Sequence, residues 1–185
     1  MPARTPAADT ATRIQAVALE LFATQAYDKT SLREIADRLG LTKPALYYHL
    51  SSKETLLSSL VQPHIDDIEA LLTRDEAAGT VDPRDLLESY FDVTFRHREV
   101  SLLVVRELST LAVLDLGERV IDWRRRTMTL LVGPEPNLAA QTRAIVAIGG
   151  LADCTVMFPH VPAEEVRVAA VDAACAALGL PVERV

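Results

Sequence analysis

The spacing of apolar residues constrains the fold of this 185-residue chain more than any other feature. Apolar side chains recur three and four positions apart almost throughout, as at Ile14, Val17 and Leu21, which places them on one face of a helix. No run of alternating β-branched residues favours a strand. Apolar residues make up 49% of the chain, which is enough to build a packed core. We therefore predict an all-α fold.

Capping residues and a glycine mark the first two helices. We predict one helix over about residues 10–25 and a second over about residues 32–39. Ser31 lies three residues before Glu34, which is a capping box: each side chain bonds to a free backbone N–H of the other residue. Gly40 follows the second helix and is suited to the left-handed conformation at a helix end.

Prolines and serines mark the later helices. Pro44 falls in the first turn of a short third helix, where a missing N–H costs nothing. A second capping box, Ser51 with Glu54, opens a fourth helix, and we expect Pro63 to kink or end it. The apolar period then predicts helices over about residues 84–97, 99–114, 117–132, 138–158 and 163–178.

Charge is distributed unevenly along the chain. The formal net charge is −7, yet residues 1–55 hold seven Lys/Arg against six Asp/Glu. All three lysines lie in that segment, whereas the remaining residues hold twelve Lys/Arg against twenty Asp/Glu. Because an acidic surface repels nucleic acid, any contact with DNA is expected at the N-terminal part of the chain.

Residues 30–53, TSLREIADRLGLTKPALYYHLSSK, have the form of a helix-turn-helix. Two short helices are joined by residues 39–42, and the small Ala36 lets them cross closely. The outward face of the second short helix carries hydrogen-bond donors and aromatic rings, which suit the width and the base edges of the DNA major groove. That face consists of Lys43, Ala45, Tyr47, His49 and, in part, Tyr48.

This stretch resembles the DNA-binding domain of the TetR family over about 50 residues, from Thr12 to Leu60. The resemblance implies a dimeric regulator whose variable C-terminal helical domain binds a small effector. The residues that carry it are Ile35-Ala36, Leu39-Gly40, the run KPALYYHL at 43–50, Lys53-Glu54 and Leu56-Leu57.

The resemblance also implies the positions of the DNA contacts. Arg33 and Lys53 would grip phosphates at the edges of the groove, and Thr42 and Ala45 would face bases. The helix that enters the groove would carry Lys43, Pro44, Tyr47 and His49.

Two positions have a plainer alternative. Arg33 could merely pair with Asp37, four residues on, for only about 0.3–0.5 kcal/mol. Tyr48 lies about 100° around the helix from Tyr47, so a mostly core position is the alternative for its ring.

Glu107 interrupts an apolar stripe in the segment 99–114 and needs a partner, because a lone buried carboxylate is costly. One interpretation is an ion pair inside the bundle. The other is a polar anchor in an effector pocket with apolar walls. The wall residues would be His64, Phe91, Phe95 and Trp123.

Two further polar features can be interpreted without a binding role. For His64 the alternative is a core histidine whose hydrogen bonds are satisfied. The run Arg124-Arg125-Arg126 is interpreted as a solvated face and not as a second DNA site.

The last two predicted helices are apolar on more than one face. Residues 144–152 are apolar all round, and the final helix carries an alanine stripe that includes Ala173 and Ala174. Such helices must bury two faces, which predicts a two-fold interface between copies of the chain. The alternative is a long central helix in a monomer.

These observations together predict three parts. They are a flexible arm over residues 1–9, a helix-turn-helix DNA-binding domain over residues 10–55, and a larger helical effector-binding and dimerisation domain over residues 56–185. The predicted function is transcriptional regulation: a homodimeric repressor binds a near-palindromic operator in double-stranded DNA and is released by a small molecule.

Other classes of protein are disfavoured by the sequence. It lacks HExxH, GxSxG, P-loop and GxGxxG motifs, and its four histidines have no ligand spacing, so we predict no enzyme, no cofactor and no metal. A small-molecule carrier without DNA binding remains the alternative. No apolar run reaches the roughly 18 residues that cross a bilayer, and the first residues lack the apolar core of a signal peptide. We therefore expect a cytoplasmic location and no membrane partner.

Overall fold

The computed structural model describes residues 6–106 and 116–181, in which helices are joined by short connections and no strand occurs. In chain order the helices are α1 (Pro6–Gln25), α2 (Leu32–Leu39), α3 (Lys43–His49), α4 (Lys53–Ala78), α5 (Pro83–Arg96), α6 (Arg98–Arg106), α7 (Gly117–Val132), α8 (Leu138–Met157) and α9 (Ala163–Leu178). The predicted all-α fold is confirmed.

The capping residues predicted at the ends of α2 make some of the expected contacts. The Ser31 side chain caps α2 by accepting a hydrogen bond from the Glu34 backbone N–H at 3.1 Å. The Glu34 carboxylate, however, accepts from the Gln25 side chain at 2.8 Å. Gly40 ends the helix with φ 65°, in the left-handed region. A capping serine and a terminal glycine therefore fix the ends of the helix that precedes α3.

Two helices begin elsewhere than predicted. We placed an arm over residues 1–9, whereas α1 already begins at Pro6, so residues 6–9 are helical. We placed the capping serine of α4 at Ser51, whereas the Ser52 hydroxyl accepts from the Thr55 backbone N–H at 3.1 Å and α4 begins at Lys53.

Pro63 does not end α4, which continues to Ala78. A proline inside a helix frees the carbonyl four residues earlier, here that of Ser59. The Gln15 side chain of α1 donates to this carbonyl at 3.4 Å and to the Ser59 hydroxyl at 3.1 Å. The side chain of a neighbouring helix therefore compensates in part for the hydrogen bond that Pro63 cannot make.

The chain divides into two compact units, and α4 is shared between them at Pro63. The N-terminal unit comprises residues 1–63 and 102–115, and the C-terminal unit comprises residues 64–101 and 116–185. Our predicted boundary after residue 55 lies eight residues before this division. No helix within the described ranges is long and apolar enough to cross a membrane.

Each unit has a core of its own. In the N-terminal unit, α1, α2 and α3 bury Ile14, Phe22, Ile35 and Leu46 almost completely. In the C-terminal unit, α5, α8 and α9 pack against one another, and α7 packs on α8. The core of that unit includes Leu86, Leu87, Phe91, Ile148, Leu151, Val171 and Cys175.

Candidate nucleic-acid interface and candidate effector site

α3 is anchored by one buried side chain and exposes Lys43, Pro44, Tyr47 and Tyr48. The Thr42 hydroxyl caps the helix by accepting from the Ala45 backbone N–H, and Pro44 lies in the first turn. Leu46 points into the core and is 1% exposed. Tyr47 is 46% exposed, with the Lys43 ammonium 5.6 Å from the centre of its ring. The helix thus presents a cation and an aromatic ring together.

Tyr48 is 85% exposed, so the alternative of a mostly core position is wrong. The reason is its angle to Leu46: two residues correspond to about 200° around a helix, so a buried residue 46 puts residue 48 on the opposite side. The Tyr48 ring meets the ring of the half-buried His49 edge-on, with centroids 5.2 Å apart.

A surface cleft of about 450 Å³ lies beside α3. Four of the eight residues predicted to contact DNA line it: Arg33, Lys43, Tyr47 and Lys53. Arg33 does pair with Asp37, at 3.8 Å, but both side chains remain exposed and the pair is weak. The guanidinium therefore stays available to an anion.

Lys53 has a structural role that the sequence did not reveal. Its ammonium donates to the backbone carbonyls of Tyr27 and Thr30, at 3.0 and 3.2 Å, and lies 4.2 Å from the centre of the Tyr27 ring. Burial, followed by the nearby carboxylates of Glu54 and Asp28, raises the pKa of Tyr27 to about 12. An ammonium has three donors, so Lys53 ties α4 to the α1–α2 connection and keeps one donor for another acceptor.

In the C-terminal unit, the predicted effector residues divide into two groups. Phe91 and Phe95 stack on each other with centroids 5.5 Å apart, and Phe91 is part of the core. His64 meets the edge of the Trp123 ring at 6.4 Å. Glu107 lies outside the described residues.

His64 is not a core histidine with satisfied hydrogen bonds. Its Nδ1 is buried without a hydrogen-bond partner. Burial, and then the neighbouring His97 at a ring distance of 5.2 Å, lowers the pKa of His64 to about 4. The ring is therefore neutral at pH 7.

A polar cluster beside His64 was missed by the sequence analysis. The Asp67 carboxylate accepts from Arg96 at 2.7 Å and pairs with His97 at 2.8 Å, and the hydrogen bond with His97 is the main reason that its pKa is lowered. The one available signal was the spacing of His64 and Asp67, three residues apart on α4.

A second part of the cluster joins α4 to α7. The Glu69 carboxylate accepts from Trp123 Nε1 and from Arg126, each at 2.7 Å, and these hydrogen bonds lower its pKa. Arg126 also donates to both oxygens of Glu76. Arg124 and Arg125 are exposed as predicted, whereas the prediction of a solvated face is wrong for Arg126, because these carboxylates bind it.

α8 and α9 leave apolar side chains uncovered. Ile145 and Val146 of α8 are 59% and 58% exposed, and Val168 of α9 is exposed as well. The two alanines named in the predicted interface between copies differ in exposure. Ala173 is exposed, whereas Ala174 is buried in the core of its own chain.

Comparison with known proteins gives the same assignment for the N-terminal helices. Residues 14–60 match the family described as bacterial regulatory proteins, tetR family. Over 79 residues, 40% of this chain and 36% of the relative, the sequence is 38% identical to the HTH-type transcriptional activator FasR of Mycolicibacterium smegmatis. Over 90 residues, 49% of this chain and 44% of the relative, it is 29% identical to the HTH-type transcriptional repressor KstR2 of Rhodococcus jostii. The chain thus spans less than half the length of these curated relatives.

The similarity in fold extends further. A transcriptional regulator of Aquifex aeolicus VF5 superimposes with a TM-score of 0.70 and 25% identity, covering 89% of this chain and 96% of that one. The capped and exposed α3 and these similarities define a helix-turn-helix protein. Over residues 14–60 the chain resembles the TetR family of bacterial regulatory proteins.

Proposed function

We propose that this chain is a DNA-binding transcriptional regulator: a repressor that binds a near-palindromic operator in double-stranded DNA and is released by a small-molecule effector. The observation that carries the proposal is the exposed surface of α3, where Lys43 and Tyr47 stand beside a cleft that Arg33 and Lys53 also line. We propose no enzymatic role.

In this proposal α3 enters the major groove. A helix fits the width of that groove, and donors and flat rings read base edges there. Arg33 and the remaining donor of Lys53 bind phosphates at the rim of the groove. The residues that approach the bases are those at the start and on the outer face of α3, namely Thr42, Lys43, Pro44, Ala45, Tyr47 and His49.

The operator is read by a pair of chains. Ile145, Val146 and Val168 are apolar and exposed in the single chain, and a second copy would cover them. A two-fold pair through α8 and α9 presents two α3 helices to two half-sites, which is why the operator is near-palindromic.

The effector binds in the C-terminal unit, near His64, Phe91, Phe95 and Trp123, with Glu107 as a further proposed contact. α4 carries His64 and continues without a break from Lys53, which makes it the element that transmits binding. A ligand shifts DNA affinity only through its different affinity for the two states, and a tenfold shift requires about 1.4 kcal/mol. DNA must then weaken effector binding by the same factor.

The experiment measures fluorescence anisotropy of the DNA fragment upstream of the chain's own gene. We expect Tyr47→Ala to weaken binding at least tenfold, whereas Ile121→Ala, which changes an exposed residue of α7, leaves it unchanged. Deleting the gene should raise transcription from the same promoter. Equal binding by both variants would refute the DNA interface, and a fall in transcription would refute repression.

A further inference from the structure

Two buried polar atoms of the C-terminal unit lack a hydrogen-bond partner, and both belong to residues that contact His97, one through its ring and the other through its backbone. They are His64 Nδ1 and Ser101 Oγ. The rings of His64 and His97 are 5.2 Å apart, and the Ser101 backbone N–H donates to the His97 carbonyl at 2.9 Å. Asp75 Oδ2 is also unpartnered, but it lies three turns further along α4. Because leaving such groups unpaired opposes folding, the pair around His97 is a place where a ligand can supply the missing hydrogen bonds.

The carboxylates near His64 do not offer a site for a cation. Asp67 is bound by Arg96 and His97. Glu69 is bound by Trp123 and Arg126. A positively charged ligand would have to break one of these charge-assisted hydrogen bonds, which are stronger than neutral ones.

The unpartnered groups do not attract an anion either. The imidazole of His64 is neutral at pH 7 because burial holds its pKa well below the ordinary value. The serine hydroxyl carries no charge, and the Arg96 guanidinium is paired with Asp67. The unused hydrogen-bonding capacity is therefore that of one neutral ring nitrogen and one hydroxyl.

Apolar side chains lie on the side of α4 that carries His64. The Trp123 ring, which His64 meets edge-on, is buried. Ile68, one helical turn after His64, is buried as well. An apolar body therefore suits the site, with hydrogen-bonding atoms at one end.

We propose that His64 and Ser101 bind the uncharged, oxygen-bearing head of an otherwise apolar effector, such as an alcohol or a ketone. The inference rests on the proposed effector release and specifies the chemical class of the effector. His64 can donate or accept according to its tautomer, and Ser101 can do either, so a carbonyl or hydroxyl oxygen of the head can bond to either residue.

The test uses four probes of one shape: 4-tert-butylcyclohexanol, 4-tert-butylcyclohexanone, 4-tert-butylcyclohexylamine and 4-tert-butylcyclohexanecarboxylate. Binding to the full chain without DNA is followed by the fluorescence of Trp123, the single tryptophan. The alcohol or the ketone is expected to bind saturably and at least tenfold more tightly than the amine and the carboxylate. A preference for a charged probe, or no saturable binding by any of the four, would overturn the proposal.

Variants of His64 and Ser101 test whether these two residues bind the head of the probe. His64→Leu and Ser101→Ala are each expected to weaken the best neutral probe about tenfold. The matched changes at exposed positions, His160→Leu and Ser58→Ala, are expected to leave it unchanged. Neither site variant should lower the midpoint of thermal unfolding, because each removes an unsatisfied polar atom. Unchanged affinity in both site variants would overturn the assignment.

Failure of this inference and failure of the proposed function give different results. If a neutral probe binds through His64 and Ser101 but does not release DNA, the head-group assignment stands and effector release fails. If a charged molecule releases the DNA and the neutral probes do not bind, regulation by an effector stands and the head-group assignment fails.

Discussion

Ala26 has a backbone conformation that glycine adopts more easily. Its φ is 78°, and it is the one residue other than glycine with positive φ in the described ranges. That conformation costs an alanine about 1–2 kcal/mol, and the greater freedom of glycine in the unfolded chain offsets part of the gain. We expect Ala26→Gly to raise the free energy of unfolding by about 0.5–1 kcal/mol in urea titrations.

The matched change is Ala23→Gly, at an exposed position inside α1. There glycine only loses helix propensity, and we expect a fall of about 1 kcal/mol. If both variants were destabilised equally, the positive φ of Ala26 would not be a source of strain.

His64 makes stability depend on pH. Its pKa is about 4 in the folded chain and about 6.5 when exposed, so protonation favours the unfolded state. The stability that follows from holding His64 neutral is fully present above pH 6.5 and is lost as the pH falls towards 4. Between pH 8 and 5 the wild type should lose about 2 kcal/mol more than His64→Gln in the free energy of unfolding.

The comparison between the two proteins isolates this residue, because every other titrating group is shared. His160→Gln, which alters an exposed histidine, should retain the wild-type dependence. Parallel curves for wild type and His64→Gln would show that the folded protein accommodates the protonated ring.

At the scale of helices, the apolar period and the residues at helix ends predicted most of the helix boundaries. Pro83, Gly117 and the residues around Asn137 and Pro162 mark helix ends that the apolar period had located within a few residues. Pro63 is the exception, since its effect on α4 depends on Gln15, 48 positions earlier in the chain and on another helix.

In the candidate sites, too, contacts between residues distant in the chain could not be predicted from the sequence. The exposed face of α3 follows from helical geometry and from one buried leucine, so Lys43 and Tyr47 could be placed from the sequence. The contacts of Lys53 with the carbonyls of Tyr27 and Thr30, and those of Asp67 with residues of α5, join distant positions and have no periodic signature. Such contacts become visible only once the helices are packed.

A single charge introduced on the exposed face of α8 tests whether this face is the interface between two copies. Ile145→Arg would place an unpaired cation in the proposed interface between two copies, where burial of a lone charge is strongly unfavourable. We expect sedimentation to show dimers for the wild type and monomers for the variant at micromolar concentration. Ile121→Arg places the same charge at a 69% exposed isoleucine of α7 and should remain dimeric. A monomeric wild type, or a dimeric Ile145→Arg, would contradict the interface.

At the scale of the whole molecule, the charge distribution restricts where DNA can approach. The chain is acidic overall, and all three of its lysines lie within the first 53 residues. Of the two proposed phosphate contacts, Arg33 is the cleaner probe because its side chain is exposed, whereas Lys53 is bonded to the backbone carbonyls of Tyr27 and Thr30. We expect Arg33→Ala, which removes a proposed phosphate contact, to weaken binding to all DNA sequences alike and to reduce the slope of log K against log salt by about one unit.

The control removes the same charge from the other unit. Arg124 is exposed on α7, and Arg124→Ala should leave the slope unchanged. An equal change of slope in both variants would mean that overall charge, and not a phosphate contact, governs the salt dependence.

The uncovered apolar face of α8 also has a consequence for gene dosage. A chain that binds its operator only in pairs responds to its own abundance more steeply than in proportion. Where pairing is incomplete, the concentration of pairs varies with the square of the number of chains, so halving expression lowers it about fourfold. A cell that divides its copies unequally between daughters would then pass on two different states of the regulated promoter, set by the strength of one helical contact.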